Sequence, residues 1–477
     1  MKWLTQGSFT FDGVLAPPAH KRQGWRYLRS VASFLLHRVN SPVRRLLLLL
    51  AILQSTAGAA AEAPPPVEVP AELTLSAALA LYRSAGLDLL LADAAVDSAA
   101  ADLRSAHAVA NPSLGFTGGK SFVCEGPCRW SGPPLWAFAL GDQGALMDWV
   151  VGKRGLRIEV AEAGLRSARA LRVDTERATG SALKQQFVVT LVAQEAVRFA
   201  RETGTAATDQ LKLTQRRYQS GAISEADLAR VQTAKLEVDQ AITQAEINLV
   251  QAKASLAFLL GVRGELPSFV VREDALLGLG SPPGLEGATV ESLMVLAREH
   301  RPDLVAQQAQ TDRAAASVEL AHRQVWPDFA LGAQYAVQGL GVNAISPPTV
   351  SFGVSTSLPV FYQQQGEVAK ASADLRTQQL QQQKLLAQVQ SDVQTAWAGY
   401  VGAREQALRM QEGGLLTSAR RARDLVQIQY QKGAASLLEY LDAQRTYISV
   451  NLESLQDLAG YWTAVFKLEQ AVGRTLE

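Results

Sequence analysis

Two stretches decide the fold: YQSGAISEADLARVQ at residues 218–232 and YQKGAASLLEYLDAQ at residues 430–444. Tyr, Gln, Gly, Ala, Ser and a final Gln occupy the same places in both stretches. Glycine adopts the left-handed conformation that ends many helices, and a serine three residues later can cap the helix that follows. The sequence therefore predicts two tight helical hairpins. Their turn residues are Gly221, Ser224, Gly433 and Ser436.

Both hairpins belong to a larger duplication. The stretch LTLSAALALYRSAGLDLLL from Leu73 aligns without gaps with ATVESLMVLAREHRPDLVA from Ala288. Each copy runs through an Ala-rich helical region that we expect to end at a proline, Pro112 or Pro327, and then through an alternating stretch. Repetition of this kind indicates that each copy forms the same structural unit. We expect one repeat at residues 73–286 and another at 287–477, each with a helix, two strands and a long helical hairpin.

The helices that lead into the two turns are predicted to be unusually long. Residues 155–217 and 367–430 each read as one helix of roughly 60 residues, or near 90 Å at 1.5 Å per residue. Asp227 and Glu439 follow the capping serines by three residues, so they are expected to complete capping boxes. Helices of this length need partners that bury their apolar stripes. The pattern fits a helical tube with a wet bore, and it equally fits an ordinary coiled coil.

The alternating stretches predict β-strands with one apolar face. In VSFGVSTSL (350–358) the apolar residues fall on one face and Ser or Gly on the other, and FALGAQYAV (329–337) repeats the pattern. Such alternation fits a transmembrane barrel strand and also a half-buried soluble strand. Each copy offers two strands, whereas the smallest membrane barrels have about eight. If the strands span a membrane, several chains must therefore combine, and three chains of four strands would supply twelve.

The N-terminal region indicates export. Arg44 and Arg45 precede the apolar run LLLLLAIL (46–53) and the small residues STAGAAAEA. This order is typical of a secretory signal peptide, which we place at residues 43–62, followed by a linker at 63–72. Residues 1–42 form a basic extension of unknown role. We expect no later stretch to be apolar enough for a transmembrane helix.

Composition excludes several classes of function. The chain has 477 residues, a net charge of +1, two Cys and five His. This balance does not favour a nucleic-acid partner, and we expect no metal site and no cofactor. No nucleotide loop, nucleophile elbow or zinc motif is present, so an enzyme is not expected. Cys124 and Cys128 lie in CEGPC, between the first two strands, where either a local disulfide or two free thiols fits an exported chain.

These features together resemble the TolC family of outer-membrane efflux proteins. The resemblance rests on the doubled motif Y-x-x-G-x-x-S-x-x-[DE], on SLPVF (357–361), on GKRGLRIEVAEAGL (152–165) and on the duplicated halves. It implies a mainly α fold with a small β part, assembled as a homotrimer. In that trimer a twelve-strand β-barrel in outer-membrane lipid continues as an α-helical tunnel through the periplasm. The helical tips would meet a periplasmic adaptor (a membrane fusion protein) and an inner-membrane pump.

The same resemblance assigns roles to the tips. Acidic residues just after the second tip narrow the periplasmic entrance in the family, and the matching positions here are Glu439 and Asp442, with Asp227 equivalent on the first tip. Ala435 stands where the family often has an arginine, so the ion-pair latch of the family is not expected at this tip. The expected adaptor-docking residues are Tyr218, Gly221, Ser224, Tyr430, Gly433 and Ser436.

The implied function is the exit duct of a tripartite efflux system. The run SLPVFYQQQGEVAKA (357–371) resembles the CzcC-like heavy-metal efflux branch, and drug-efflux relatives share much of it. We therefore expect passive conduction for a pump of the metal or drug type (RND). Two alternatives remain: the exit duct of type I protein secretion, and a soluble periplasmic coiled-coil adaptor or scaffold without lipid-facing strands.

Overall fold

The structure is a computed structural model that describes residues 67–120, 134–280, 282–338 and 346–476. Most of these residues are helical. The first repeat contains, in chain order, β1 (Glu72–Leu73), α1 (Leu75–Ala85), α2 (Leu87–His107), β2 (Ser113–Lys120), β3 (Pro134–Gly141), α3 (Ala145–Val150), α4 (Lys153–Gln219), α5 (Glu225–Leu259) and β4 (Val270–Val271). Short 3₁₀ turns at Asp274–Leu277 and Pro283–Leu285 join it to the second repeat.

The second repeat follows the same plan with one more interruption. Its elements are α6 (Val290–His300), α7 (Pro302–Gln324), β5 (Phe329–Gln338), β6 (Ser346–Thr356), α8 (Gln365–Glu412), α9 (Leu415–Gln431) and α10 (Leu437–Val472). The prediction of a mainly helical chain with two strands in each copy is confirmed.

The long helix of the first repeat is continuous, whereas that of the second is broken. Helix α4 has 67 residues and is therefore about 100 Å long. The prediction of one helix over 367–430 was wrong, because α8 ends at Glu412 and α9 begins at Leu415. Gly414 lies between them with a φ of +58°, in the left-handed region that interrupts right-handed helices.

Two other expectations about helices were wrong, one of them for the first repeat only. Helix α2 ends at His107, well before Pro112, because Ala108 is already extended, whereas α7 ends at Gln324 with Val325 still in the right-handed helical conformation, close to Pro327 as expected. The stretch Leu75–His107 is, by length and composition alone, apolar enough to cross a membrane. It is interrupted at Gly86, and its two helices α1 and α2 pack along α4.

The four strands predicted from alternation form one antiparallel sheet in the order β2–β3–β5–β6. In one row of the register, Phe116 pairs with Phe138, Phe138 with Tyr335, and Tyr335 with Val350. Side chains at paired positions point to the same face, so these rows build a continuous apolar face. Leu114, Leu140 and Phe352 extend it in a neighbouring row.

The opposite face of this sheet carries small and polar side chains. Gly115, Ala139, Gln334 and Ser351 share one row of it. Among the described residues, β2 and β6 each pair on one side only, which leaves two open edges. Open edges expose unpaired backbone groups and invite pairing with another chain.

The main hydrophobic core lies between the sheet and the hairpin turns. It joins α1, α4, α5, α6, α8 and α10 to a two-stranded parallel sheet of β1 and β4, which the sequence did not predict. Tyr82, Phe187 and Leu468 are almost fully buried there, and each such side chain stabilises the fold by about 1.5–3 kcal/mol. Lys184 Nζ lies 2.8 Å from Glu469 Oε2 in a buried ion pair that ties α4 to α10.

Candidate functional site

The first turn is built as the sequence predicts. Gly221 has a φ of +74° and donates its N–H to the Tyr218 carbonyl at 2.9 Å. The Ala222 N–H donates to the Arg217 carbonyl at 2.9 Å, so the two bonds form a Schellman motif. The motif requires a positive φ at this position, which glycine adopts readily and other residues rarely do. The turn therefore fixes where α4 ends.

The second turn repeats this geometry almost atom for atom. Gly433 has a φ of +75° and donates to the Tyr430 carbonyl at 3.1 Å, while Ala434 donates to the Gln429 carbonyl at 2.8 Å. The shared six-residue signature thus encodes the same helix ending at both turns. The prediction that Gly221 and Gly433 end the incoming helices in the left-handed conformation is confirmed.

The helix starts differ, and here the sequence prediction was half right. At the second turn the Ser436 Oγ accepts the Glu439 N–H at 3.3 Å, and the Ser436 N–H donates to Glu439 Oε2 at 2.7 Å. These two bonds form a complete capping box. At the first turn Asp227 donates its N–H to Ser224 Oγ at 3.2 Å, but its carboxylate accepts from the serine hydroxyl instead of the serine backbone. Aspartate is one methylene shorter than glutamate and does not reach back to the backbone.

The two turns pack side by side. Val231 of α5, Tyr430 of α9, and Leu437 and Tyr440 of α10 form a small buried cluster. The rings of Tyr430 and Tyr440 stack with their centroids 5.4 Å apart. Burial raises the pKa of the Tyr440 hydroxyl, which stays protonated and neutral at physiological pH. We call this group, together with both turns, the hairpin tips.

The tyrosines at the two matching positions have different environments. Tyr430 is buried in the cluster, with the Arg217 guanidinium 5.3 Å from its ring centroid. Tyr218 is 40% exposed and lies on the surface of the first turn. The repeat predicts both tyrosines but not this difference, since burial of Tyr430 depends on residues from another hairpin.

The Glu439 carboxylate is held by its cap. It is exposed, and its hydrogen bonds from the Ser436 N–H and hydroxyl hold its pKa below the ordinary value of 4.5. The charged form therefore prevails at neutral pH. Both hydrogen bonds join Ser436 to the same carboxylate oxygen, Oε2, so the carboxylate is held at the start of its own helix.

The other two predicted gate acids differ in their partners. Asp442 is exposed, one turn further along α10 than Glu439, and has no hydrogen bond or ion pair to any residue that the structure describes. Asp227 forms an ion pair with Arg230 at 3.2 Å on its own helix. Within one chain, Glu439 and Asp442 therefore lie one turn apart on α10. Among the contacts of the described residues, none joins Asp227 to either of them.

Two contacts that hold the tips together are not predicted by the sequence. Arg445 of α10 forms an ion pair with Glu237 of α5 at 2.8 Å, which links the two hairpins. The Arg423 guanidinium lies 4.3 Å from the ring centroid of Tyr447, which links α9 to α10. Charge pairs between segments leave no local pattern, so only the fold reveals them.

Other predicted features lie elsewhere. Cys124 and Cys128 fall outside the described residues. Among the described residues, no group of three or more His, Cys, Asp or Glu side chains is arranged to hold a metal ion.

Comparison with known proteins identifies one matching family and several similar proteins. The family described as outer membrane efflux protein matches residues 78–262 and 293–474. The cobalt-zinc-cadmium resistance protein CzcC of Cupriavidus metallidurans is 27% identical over 437 residues, covering 89% of this chain and 96% of that protein. The pyoverdine export outer membrane protein OpmQ of Pseudomonas putida is 27% identical over 308 residues, covering 59% of this chain and 61% of that protein.

Solved structures show the same fold. The outer membrane channel CmeC of Campylobacter jejuni superimposes with a TM-score of 0.70 at 17% identity, covering 84% of this chain and 85% of that one. CusC, whose solved structure is reported in connection with transmembrane channel formation, superimposes with a TM-score of 0.68 at 18% identity. The match covers 86% of this chain and 97% of CusC.

Proposed function

Because this chain belongs to the outer membrane efflux protein family, we propose that three copies join to form one continuous duct. The chain is an outer-membrane exit duct for efflux that extends into the periplasm. The observation that supports a shared duct is the four-stranded sheet, which has one apolar face and two open edges. In lipid each unpaired backbone group costs several kcal/mol, so the edges must pair with other copies.

The number of copies follows from the space that a duct needs. Two copies of four strands would close an eight-strand barrel, whose interior is just wide enough for side chains to fill. Three copies supply twelve strands, and the diameter grows with strand number, which leaves a lumen. The small residues opposite the apolar face, such as Gly115 and Ser351, would line that lumen.

We assign the periplasmic gate chiefly to Asp442. Its carboxylate is exposed and lacks a partner among the described residues, so it is available to meet its copies around a three-fold axis. Three like charges would favour cations and resist close approach. Glu439 contributes charge one turn away but is held by Ser436, and Asp227 is neutralised by Arg230. We therefore propose only secondary roles in the gate for Glu439 and Asp227.

The hairpin tips are the proposed docking surface for a periplasmic adaptor, which links the duct to an inner-membrane pump. Tyr218 is exposed and offers an aromatic contact, whereas Tyr430 supports the surface from beneath. Gly221, Ser224, Gly433 and Ser436 set the shape of the turns. We also propose that the chain is not an enzyme, since its relatives are efflux channels.

We propose divalent metal cations as the cargo. CzcC is named for cobalt, zinc and cadmium resistance, and its similarity extends over almost its whole length. A strain that lacks this chain should become more sensitive to these cations while its sensitivity to an unrelated detergent changes less. Unchanged metal sensitivity would reject this cargo and favour the alternative, an exit duct for a secreted protein or another exported compound.

The proposed duct is tested with two variants, each of which places one charge on a different face of the sheet. Phe352 and Ser351 are neighbours in β6 and point to opposite faces. Phe352→Arg should cost about 2–4 kcal/mol in lipid and strongly reduce the heat-resistant trimer in the outer-membrane fraction. Ser351→Arg should leave that trimer intact and change its conductance in planar bilayers. Equal tolerance of both substitutions, or a wild-type chain that is monomeric without detergent, would contradict the proposal.

A further inference from the structure

A belt of exposed apolar side chains lies just beyond one end of the four-stranded sheet. Ser113, Gly141, Phe329 and Thr356 mark this end, because the register pairs Ser113 with Gly141 and Phe329 with Thr356. The helical connections to α2, α3, α7 and α8 all leave the sheet there. The belt consists of Val109, Leu146, Trp149, Val150, Trp326, Leu358, Val360 and Phe361.

The belt adjoins the end of the apolar sheet along the chain and is rich in aromatic residues. Trp149 is 68% exposed, Trp326 is 64% exposed and Phe361 is fully exposed. Trp and Tyr concentrate where a membrane meets water, since their rings combine an apolar body with a polar group. The position of the belt, between the apolar sheet and the charged helices, matches such a boundary.

Basic side chains lie directly against this belt. Lys153 Nζ donates to the Trp326 carbonyl at 2.8 Å and pairs with Asp328 at 2.6 Å. Arg157 pairs with Asp148 of α3. These two cations are therefore neutralised by nearby acids. Asp142, a third acid at this end, accepts from the backbone N–H groups of Gly144 and Leu331.

Two arginines at the same level lack an acidic partner within the described parts of the chain. The Arg154 guanidinium donates to the His107 carbonyl at 2.6 Å, and its Nε is buried without a hydrogen-bond partner. Arg323 is exposed and donates to the Val151 carbonyl at 3.2 Å. Both contacts go to neutral carbonyl groups, so two positive charges and several N–H donors remain available.

We propose that Arg154 and Arg323, with the aromatic belt around Trp149 and Trp326, bind the anionic headgroups of phospholipids in the periplasmic leaflet. This rests on the proposed function, in which this end of the sheet faces the periplasm. Guanidinium groups bind phosphate oxygens through paired charge-assisted hydrogen bonds. The belt would hold the acyl chains beside these donors, and each cation near an anionic bilayer surface raises affinity about fivefold.

The experiment uses the full chain, purified as a trimer in mild detergent and freed of lipid. It is titrated with equal amounts of phosphatidylglycerol and phosphatidylethanolamine that carry the same acyl chains, and bound lipids are counted by native mass spectrometry. We expect the wild type to favour phosphatidylglycerol by about fivefold or more. Arg154→Gln with Arg323→Gln should reduce the ratio to near one.

A matched control removes two other exposed arginines. Arg420→Gln with Arg421→Gln, on α9 far from the sheet in sequence, should keep the wild-type ratio, because the same charge is lost away from the belt. A wild type without preference, or an Arg154 and Arg323 variant that retains it, would overturn the lipid site while leaving the trimer intact. Dissociation of that variant into monomers would also overturn it, since the arginines would then serve a subunit contact. A monomeric wild type would reject the duct itself and this site with it.

Discussion

The two hairpins share a sequence plan but differ in how firmly their turns are held. In the first hairpin, α4 runs without a break to Gln219, two residues before Gly221, while Tyr218 is exposed and Asp227 is paired with Arg230. In the second, the helix is interrupted at Gly414, 17 residues before its own turn begins at Gln431.

The second turn is instead held by buried and local contacts. Tyr430 stacks on Tyr440, Glu439 closes a complete capping box, and Asp442 is left exposed. The two turns therefore share one backbone geometry, while neighbouring residues place their side chains in different environments. We interpret the second hairpin, with its better-held turn and its exposed Asp442, as the element that would carry the proposed gate.

The largest expected effect comes from the tyrosines. Tyr430→Ala removes a buried ring and should lower the free energy of opening of the second tip by about 3 kcal/mol, as large-to-small changes in packed sites do. Tyr218→Ala should destabilise the first tip by only about 1 kcal/mol or less, because its side chain is 40% exposed and lies outside the buried cluster. Amide hydrogen exchange of the tips in the purified trimer measures both. Equal effects would show that the two turns are equivalent.

The acids proposed for the gate should distinguish the two hairpins in planar-bilayer recordings. Asp442→Ala should lower the preference for cations in planar bilayers and weaken block by multivalent cations, because one ring of like charges is lost. Asp227→Ala should leave the traces close to wild type, since Asp227 is already neutralised by Arg230. A larger change from Asp227 than from Asp442 would move the gate to the first hairpin.

The break in the second long helix should respond to alanine in the opposite sense from a glycine inside the first. Gly414→Ala places a side chain at a φ of +58° and should destabilise the local structure by about 1–2 kcal/mol. Gly180→Ala, in the interior of α4 with no heavy atom within 4 Å of the added carbon, should stabilise the helix by up to about 1 kcal/mol. Exchange rates of amides 415–419 and 181–185 report the two effects. Slower exchange in both variants would show that Gly414 does not need its conformation.

The smallest expected effect is a dependence of the second cap on pH. The pKa of Glu439 is lowered by the Ser436 N–H and hydroxyl, so its cap contributes fully above the ordinary value of 4.5. That contribution should be lost as the pH falls through the lowered value, and the second tip should then fray more than at neutral pH. Glu439→Gln should remove this dependence. Exchange at 437–440 that does not change on acidification would show that the capping box carries no stability.

Sequence predicted features that depend on neighbouring residues in the chain or on a strict alternation. The turns at Gly221 and Gly433 follow from local capping, and the apolar sheet face follows from alternation in 329–337 and 350–358. The break at Gly414 was missed, although Gly413 and Gly414 form a Gly-Gly pair of the kind that marks turns, whereas the single glycines Gly180 and Gly402 remain inside helices.

In the candidate site, too, local features could be predicted from the sequence and long-range contacts could not. The positions of the acids and tyrosines could be predicted from the repeat, but their partners could not. Burial of Tyr430 depends on Val231, 199 positions away, and the Arg445–Glu237 pair joins residues 208 positions apart. Contacts of this range arise only when the two hairpins lie together.

In the proposed duct, the edges of the four-stranded sheet pair between copies and not within one chain. Single cysteines along β2 are combined with single cysteines along β6, in a chain whose Cys124 and Cys128 are replaced by serine, and the outer membranes are oxidised. We expect covalent dimers and trimers, and no larger species, on a denaturing gel. A fast-migrating cross-linked monomer, in which β2 and β6 of one chain have joined, would contradict it.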